Sequence, residues 1–224
     1  MFEGKTVSVV IPAFNEADVI AETVAAVRAL GTADEVVVVD DGSADATGGE
    51  ALRAGARVIS LERNRGKGAA LNEGVAAVRG EIIVFVDADT GTSASEVVKL
   101  IEPAARGECD MAIGAFASRG GFGFVLKLSR WGVRRACGFA AGAPLSGQRA
   151  FTRGVLRSIH PFRRDFGVET DMLIRAVRGG WRVIEVPVEM RHRSTARDVR
   201  GFAHRGRQGW GVARALCRAF IRRR

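Results

Sequence analysis

Five short, β-branched runs alternate with helical segments over the first half of the chain, and this alternation limits the fold more than any other feature. The runs are Val7–Ile11, Glu35–Val39, Val58–Ser60, Ile82–Val86 and Met111–Ile113. Each is apolar at consecutive positions, as a strand covered on both faces must be. Between them, helical spacing runs over about Ala17–Leu30, Thr47–Ala54, Lys67–Val78 and Ser95–Ala105. Ser93 followed by Glu96 has the spacing of a capping box for the last of these. Gly31, Gly55 and Gly80 fall where helices should stop. Strand, helix, strand, repeated, predicts an α/β fold: a mainly parallel, doubly wound sheet with helices on both faces. In such sheets ligands bind beyond the carboxyl ends of the strands.

The second half is less regular. A helix is expected around Phe124–Phe139, another over Glu169–Arg178, a strand at Val183–Val186, and a basic amphipathic helix over His204–Arg224. A chain of 224 residues, 47% hydrophobic and 26% charged, suits one globular core without a separate module. We therefore expect a single domain over 1–203, in two parts of about 1–115 and about 116–203, and a tail helix over 204–224. The start of the chain does not read as a secretory signal, and no apolar run approaches the roughly 20 residues that span a bilayer. Cys109, Cys137 and Cys217 lack metal-ligand spacing and suit a reduced compartment. A cytoplasmic location is the expectation.

Three polar clusters fall at successive strand ends: Pro12-Ala13-Phe14-Asn15-Glu16, Asp40-Asp41-Gly42-Ser43 and Asp87-Ala88-Asp89. Singly, each has a structural explanation, such as helix capping by Asp45 or Thr47 or a turn at Gly42. Jointly, on one rim of one sheet, they read as a binding site. Asp87 and Asp89 follow a buried strand one residue apart, and two such carboxylates repel unless a cation sits with them. A hard ion, Mg2+ or Mn2+, suits these oxygens, with a diphosphate completing its shell. Gly66-Lys67-Gly68 suits a phosphate clasp, close backbone approach with a mobile cation at a helix start. It lacks the spacing of a P-loop, and no strand carries a dinucleotide-binding glycine pattern.

The runs Val7–Glu16, Val39–Ser43 and Asp87–Asp89 together resemble a family-2 glycosyltransferase of the GT-A fold. Arg63-Asn64-Arg65-Gly66-Lys67-Gly68-Ala69-Ala70-Leu71-Asn72 is similar to the dolichyl-phosphate mannose synthase-like branch. The resemblance implies a base and ribose pocket lined by Pro12, Ala13, Asn15, Glu16, Asp40 and Asp41. It also implies that Lys67 and Gly68 close over the donor, that Asp87 and Ala88 lie against it, and that Asp89, with Asp87, holds the metal. Ser146-Gly147-Gln148-Arg149-Ala150-Phe151 resembles the family's SGFRAF segment, which brings Arg149 to the donor, but Gln148 stands where the family has an aromatic residue. His192, after the strand, is a further candidate metal ligand. Glu169 and Asp171 match the acidic helix start that holds the family's catalytic carboxylate. The same acids would also suit a helix N-terminus, where the macrodipole favours them by about 0.3–1 kcal/mol.

Charge points to the partner. Thirty-four Lys and Arg against 25 Asp and Glu give +9, with the excess in the second half. Such a field attracts anions, unless it reflects only an arginine-rich composition. The expected activity is metal-dependent transfer of a sugar from a UDP- or GDP-sugar to a phosphorylated or polyprenyl-type acceptor, with inversion. A small soluble acceptor is the alternative, and a binding subunit without turnover is the rival from another class. In the tail, Trp210, Leu216, Phe220 and Ile221 interleave with Arg214, Arg218 and Arg222–Arg224, which suits an anionic membrane surface or packing back onto the domain. No nucleic-acid-binding module is present in the sequence.

Overall fold

The computed structural model describes residues 1–116, 123–163 and 167–190. His192 and the 204–224 helix lie outside the described residues.

The strands are β1 (Val7–Ala13), β2 (Glu35–Asp40), β3 (Arg57–Ser60), β4 (Ile82–Phe85), β5 (Met111–Phe116), β6 (Arg149–Thr152) and β7 (Val183–Val188). They form one sheet in the order β3-β2-β1-β4-β6-β5-β7. Every neighbouring pair is parallel except those made by β6, which runs against both β4 and β5. Strands from both halves of the chain share this sheet, so the two halves are one folded unit.

The helices are α1 (Ile20–Ala29), α2 (Thr47–Arg53), α3 (Lys67–Ala77), α4 (Val98–Ala105), α5 (Gly123–Cys137), α6 (Arg153–Ile159) and α7 (Val168–Arg178). The strands' period of two divides the core. Val7, Val9, Ile11, Val36, Val38, Ile82 and Val84 pack against α1 and α4 through Ile20, Val24, Leu100 and Ile101. Val10, Val37, Val39, Ile83 and Phe85 face α3, α6 and α7 through Leu71, Leu156, Met172 and Leu173. Burial of each such side chain contributes roughly 1.5–3 kcal/mol, so both helical layers are needed to hold the sheet.

Three expectations are corrected. A 3-10 segment, Ala88–Val97, occupies the place of the expected helix start, and α4 begins at Val98 with no side-chain cap. Ser93 Oγ instead donates to Thr90 O at 2.6 Å, while Glu96 accepts the Glu189 N–H at 3.0 Å, so no capping box forms. Gly80 does not end α3, which stops at Ala77. Its N–H donates to Ser8 Oγ at 2.8 Å, and a Cβ there would lie 2.7 Å from Ser8 N. Gly31 and Gly55 do follow helices, at φ +65° and +89°. Finally, β6 and α6 are additional elements: four residues of strand containing an arginine show too little pattern to be read as one.

Candidate active site

At the carboxyl rim of the sheet, the loop after β1 is tied to the loop after β2. Asn15 takes φ +56°, a conformation asparagine tolerates. Its side-chain oxygen accepts the Ala44 N–H at 2.9 Å and its own N–H donates to Ser43 Oγ at 3.0 Å. The Glu16 N–H donates to Thr47 Oγ1 at 2.8 Å. Asp40 accepts the Ser43 N–H at 2.9 Å, which closes the turn through Gly42. Asp41, buried, donates its N–H to Ala13 O at 2.8 Å. Its carboxylate accepts the N–H groups of Arg65 and Gly66 at 2.8 and 2.7 Å. Asp41 thus shapes the approach to α3, on the rim where Asn15 and Glu16 are tied to the β2 loop. Phe14, which sequence reasoning passed over, is 43% exposed on this rim.

Lys67 opens α3 and reaches across the rim. Its Nζ lies 2.6 Å from Asp87 Oδ1 and 2.9 Å from Glu169 Oε1. Burial alone would depress the ammonium, but the two carboxylates outweigh it and hold Lys67 well above the ordinary lysine range. Gly68 and Ala88 are buried beside these groups. Asp87 is also held by Gln148, whose Nε2 donates to Asp87 Oδ2 at 2.9 Å and whose Oε1 accepts the Asp87 N–H at 3.1 Å. Asp89, half-buried, stands in the first turn of the 3-10 segment. That turn is braced by Thr90 Oγ1 donating to Asp87 O at 2.9 Å and Thr23 Oγ1 donating to Ala88 O at 2.8 Å.

The remaining candidates separate. Glu169 and Asp171 are two positions apart on α7, about 200° around the helix. Glu169 turns to Lys67, whereas Asp171 lies 3.6 Å from Arg175 on its own helix. Arg149 is fully buried beneath the rim and donates to Ser146 O at 2.9 Å and Pro144 O at 3.2 Å. Burial pushes its guanidinium down to about 10 against the pull of Glu169, Asp87 and Glu185. Glu185 on β7 holds the same loop from outside, accepting the N–H groups of Gly142 and Ala143 at 2.8 Å each.

Among the described residues, no three His, Cys, Asp or Glu side chains converge as a metal cage. The donor set instead fits an ion held in part by protein and in part by a ligand. Mg2+ in particular is commonly held through one or two carboxylates plus substrate phosphates. Asp89 and Asp87 supply oxygens of that kind at the end of β4.

The family model for glycosyl transferase family 2 matches residues 8–160. Glucosyl-3-phosphoglycerate synthase of Mycolicibacterium paratuberculosis is 35% identical over 197 residues, covering 76% of this chain and 60% of that protein. Glycosyltransferase AglJ of Haloferax volcanii is 32% identical over 201 residues, covering 86% of this chain and 65% of the relative. The chain therefore spans a little under two thirds of the length of these curated relatives. A crystal structure of glucosyl-3-phosphoglycerate synthase from Mycobacterium tuberculosis, in complex with Mn2+, UDP and glucosyl-3-phosphoglycerate, superposes with a TM-score of 0.83. It is 31% identical, and the match covers 96% of this chain and 80% of that one. A second crystal structure of that enzyme, with Mg2+ and UDP, gives 0.84 at 30% identity, covering 96% of this chain and 79% of that one. These relatives do not carry the name of the dolichyl-phosphate mannose branch.

Proposed function

The chain belongs to glycosyl transferase family 2, and from that premise we propose that it moves a sugar from a nucleoside-diphosphate sugar to a phosphorylated acceptor, with Mg2+ or Mn2+. The observation that carries this reading is the Lys67 ammonium set between Asp87 and Glu169 at the carboxyl rim, with Asp89 beside them. Relatives whose names and crystal complexes specify Mn2+ or Mg2+, UDP and phosphorylated three-carbon acids support it.

In this account Pro12, Ala13, Asn15, Glu16 and Asp40 frame the nucleoside, with Asp41 shaping the wall from behind. Lys67 and Gly68 address the diphosphate. Asp89, the metal ligand that the family resemblance implies, would hold the ion together with Asp87, whose carboxylate is set by Lys67 and Gln148. His192 is a further candidate ligand. When bound, the metal supplies Lewis-acid stabilisation of charge on the departing nucleoside diphosphate. Lys67 adds a fixed positive charge to the same leaving group, and its carboxylate partners keep it protonated.

On the acceptor side, Glu169 is the carboxylate set toward the reacting groups and Asp171 the one set away. Inversion, which the family resemblance implies, would use Glu169 as the base for an acceptor hydroxyl. UDP-glucose is the donor and a phosphoglycerate-like acid the acceptor that the relatives suggest. The basic second half of the chain suits that acceptor's charge. A lipid-linked acceptor is the second reading, favoured by Trp131, 59% exposed on α5 among Lys127, Arg130 and Arg134. Among the described residues no helix is long and apolar enough to cross a membrane; in that reading the chain would meet its acceptor at an anionic membrane surface.

The test is a transfer assay with UDP- and GDP-sugars and Mn2+, offering 3-phosphoglycerate, glycerol 3-phosphate or polyprenyl phosphate in anionic vesicles. Transfer to a soluble phosphorylated acid is expected. Transfer only to the vesicle-borne acceptor would replace it with the lipid reading, and the anomeric configuration of the product decides inversion.

A further inference from the structure

Gln148 stands where the SGFRAF-like segment has an aromatic residue, and it is turned onto Asp87. We propose that Gln148 is a positioning residue, whose buried amide sets the Asp87 carboxylate and, through it, Lys67 for the donor diphosphate. The inference rests on the nucleotide-sugar reading only for what Lys67 addresses.

Three observations converge. First, the amide grips both the side chain and the main chain of Asp87, donating to Oδ2 at 2.9 Å and accepting the N–H at 3.1 Å. A primary amide has one donor end and one acceptor end, so this pair of bonds fixes its flip and fixes which carboxylate oxygen faces Lys67. Second, Gln148 is wholly buried, and its own backbone is held from both sides: its carbonyl accepts the Gly114 N–H at 2.9 Å and its N–H donates to Ser146 Oγ at 3.3 Å. The amide has no room to drift. Third, β6 is antiparallel to β4 with Phe85 opposite Arg149, which, continued by two residues, sets Gly147 across from Asp87. A Cβ at Gly147 would lie 2.5 Å from Asp87 Oδ1 and 2.6 Å from Lys67 Nζ. A side chain at 147 would push the Asp87 carboxylate and the Lys67 ammonium aside; with glycine there, the next side chain reaches Asp87 as both stay in place.

The chemistry of the amide matters as well as its reach. Lys67 already serves two carboxylates, Asp87 and Glu169, and a third acid here would repel Asp87 directly. An aromatic ring would remove both bonds to Asp87. A neutral side chain that donates and accepts is the type that orders Asp87 without adding charge.

Two variants and two readouts test this. Gln148→Met keeps the length and removes the bonds; Gln148→Glu keeps the shape and sets a second carboxylate against Asp87. The first readout is UDP affinity with Mn2+ by calorimetry. The second, needing no nucleotide, is the crystal structure of each variant, which shows the Asp87 carboxylate and its contact with Lys67 directly. Gln148→Met is expected to bind UDP about tenfold more weakly or worse, with the Asp87 carboxylate rotated and its contact with Lys67 lost. Gln148→Glu is expected to show a similar deficit, because a second carboxylate set against Asp87 repels it. If the variants lose thermal stability while the Asp87–Lys67 geometry and the UDP affinity of the folded protein stay as in wild type, Gln148 is only structural and the proposal is overturned. If wild type binds no nucleotide but Asp87 and Lys67 still move in the variants, the positioning stands and the donor reading fails.

Discussion

Lys67 on α3 and Glu169 on α7, from the two halves of the chain, meet at 2.9 Å, Nζ to Oε1. The same ammonium lies 2.6 Å from Asp87 at the end of β4. One cation thus joins three elements far apart in sequence, at the rim where a parallel sheet binds its ligands. Several consequences can be measured.

Glu169 and Asp171 should behave differently. Glu169→Gln removes the carboxylate that faces Lys67, and we expect turnover to drop by roughly 100-fold or more. Asp171→Asn disturbs an ion pair with Arg175 along α7, away from Lys67, and turnover should change by no more than a few-fold. Steady-state kinetics on both variants check this; the reverse ranking would move the catalytic role to Asp171.

Arg149 should matter for the fold before it matters for the ligand. Arg149→Met leaves the carbonyls of Pro144 and Ser146 without their buried donor and removes a charge from among Glu169, Asp87 and Glu185. The expected cost is roughly 2–5 kcal/mol in chemical denaturation. Unchanged stability with lost UDP affinity would instead return Arg149 to direct ligand contact.

Asp110 gives a pH signature. The Arg182 guanidinium, 3.1 Å away at Nε, holds the Asp110 carboxyl below the usual range against the opposing effect of burial. A carboxyl with a depressed folded value contributes stability that is present above its unfolded value, near 3.8, and lost as pH falls through the folded one. Asp110→Asn should therefore lower Tm by a few degrees at neutral pH. The gap from wild type should narrow below about pH 4, and thermal melts at the two pH values test it.

A side chain at Gly147 is predicted to disturb the site more than the fold. In Gly147→Ala the new methyl meets Asp87 and Lys67 head on. UDP affinity should drop by about tenfold or more, with a smaller change in Tm than Arg149→Met produces. An alanine variant with wild-type affinity would show that the rim yields.

Much of this was legible in the sequence, for identifiable reasons. Strands β1, β2 and β4 were readable because burial on both faces leaves an uninterrupted apolar run, and the polar residues after them mark the rim. Lys67, Asp87 and Glu169 were each readable as candidates, but not their junction, which joins α3, the end of β4 and α7, nor the register of β4 against β6 that brings Gln148 to Asp87. That register was hidden in Arg149-Ala150-Phe151-Thr152, where a strand of four residues carries a charge and only one β-branched side chain. What secures β6 is tertiary: the Phe151 ring stacks 4.9 Å from Phe85. For the same reason Gln148 was visible only as a departure from a pattern, with nothing local to say which carboxylate it would grip. Ser93 and Glu96 have capping-box spacing, yet Glu96 is drawn to the Glu189 N–H at the end of β7, a contact that local sequence does not encode.

The most direct test of the account is the metal dependence of nucleotide binding at the β4 carboxylates. Calorimetry of UDP with wild type and Asp89→Ala should be run in Mn2+ and again in chelator. The account predicts that Mn2+ tightens wild-type binding by about tenfold or more, and that Asp89→Ala loses this gain while keeping the weak metal-free affinity. Equal affinity for UDP in Mn2+ and in chelator, or a metal effect undiminished in Asp89→Ala, would contradict it.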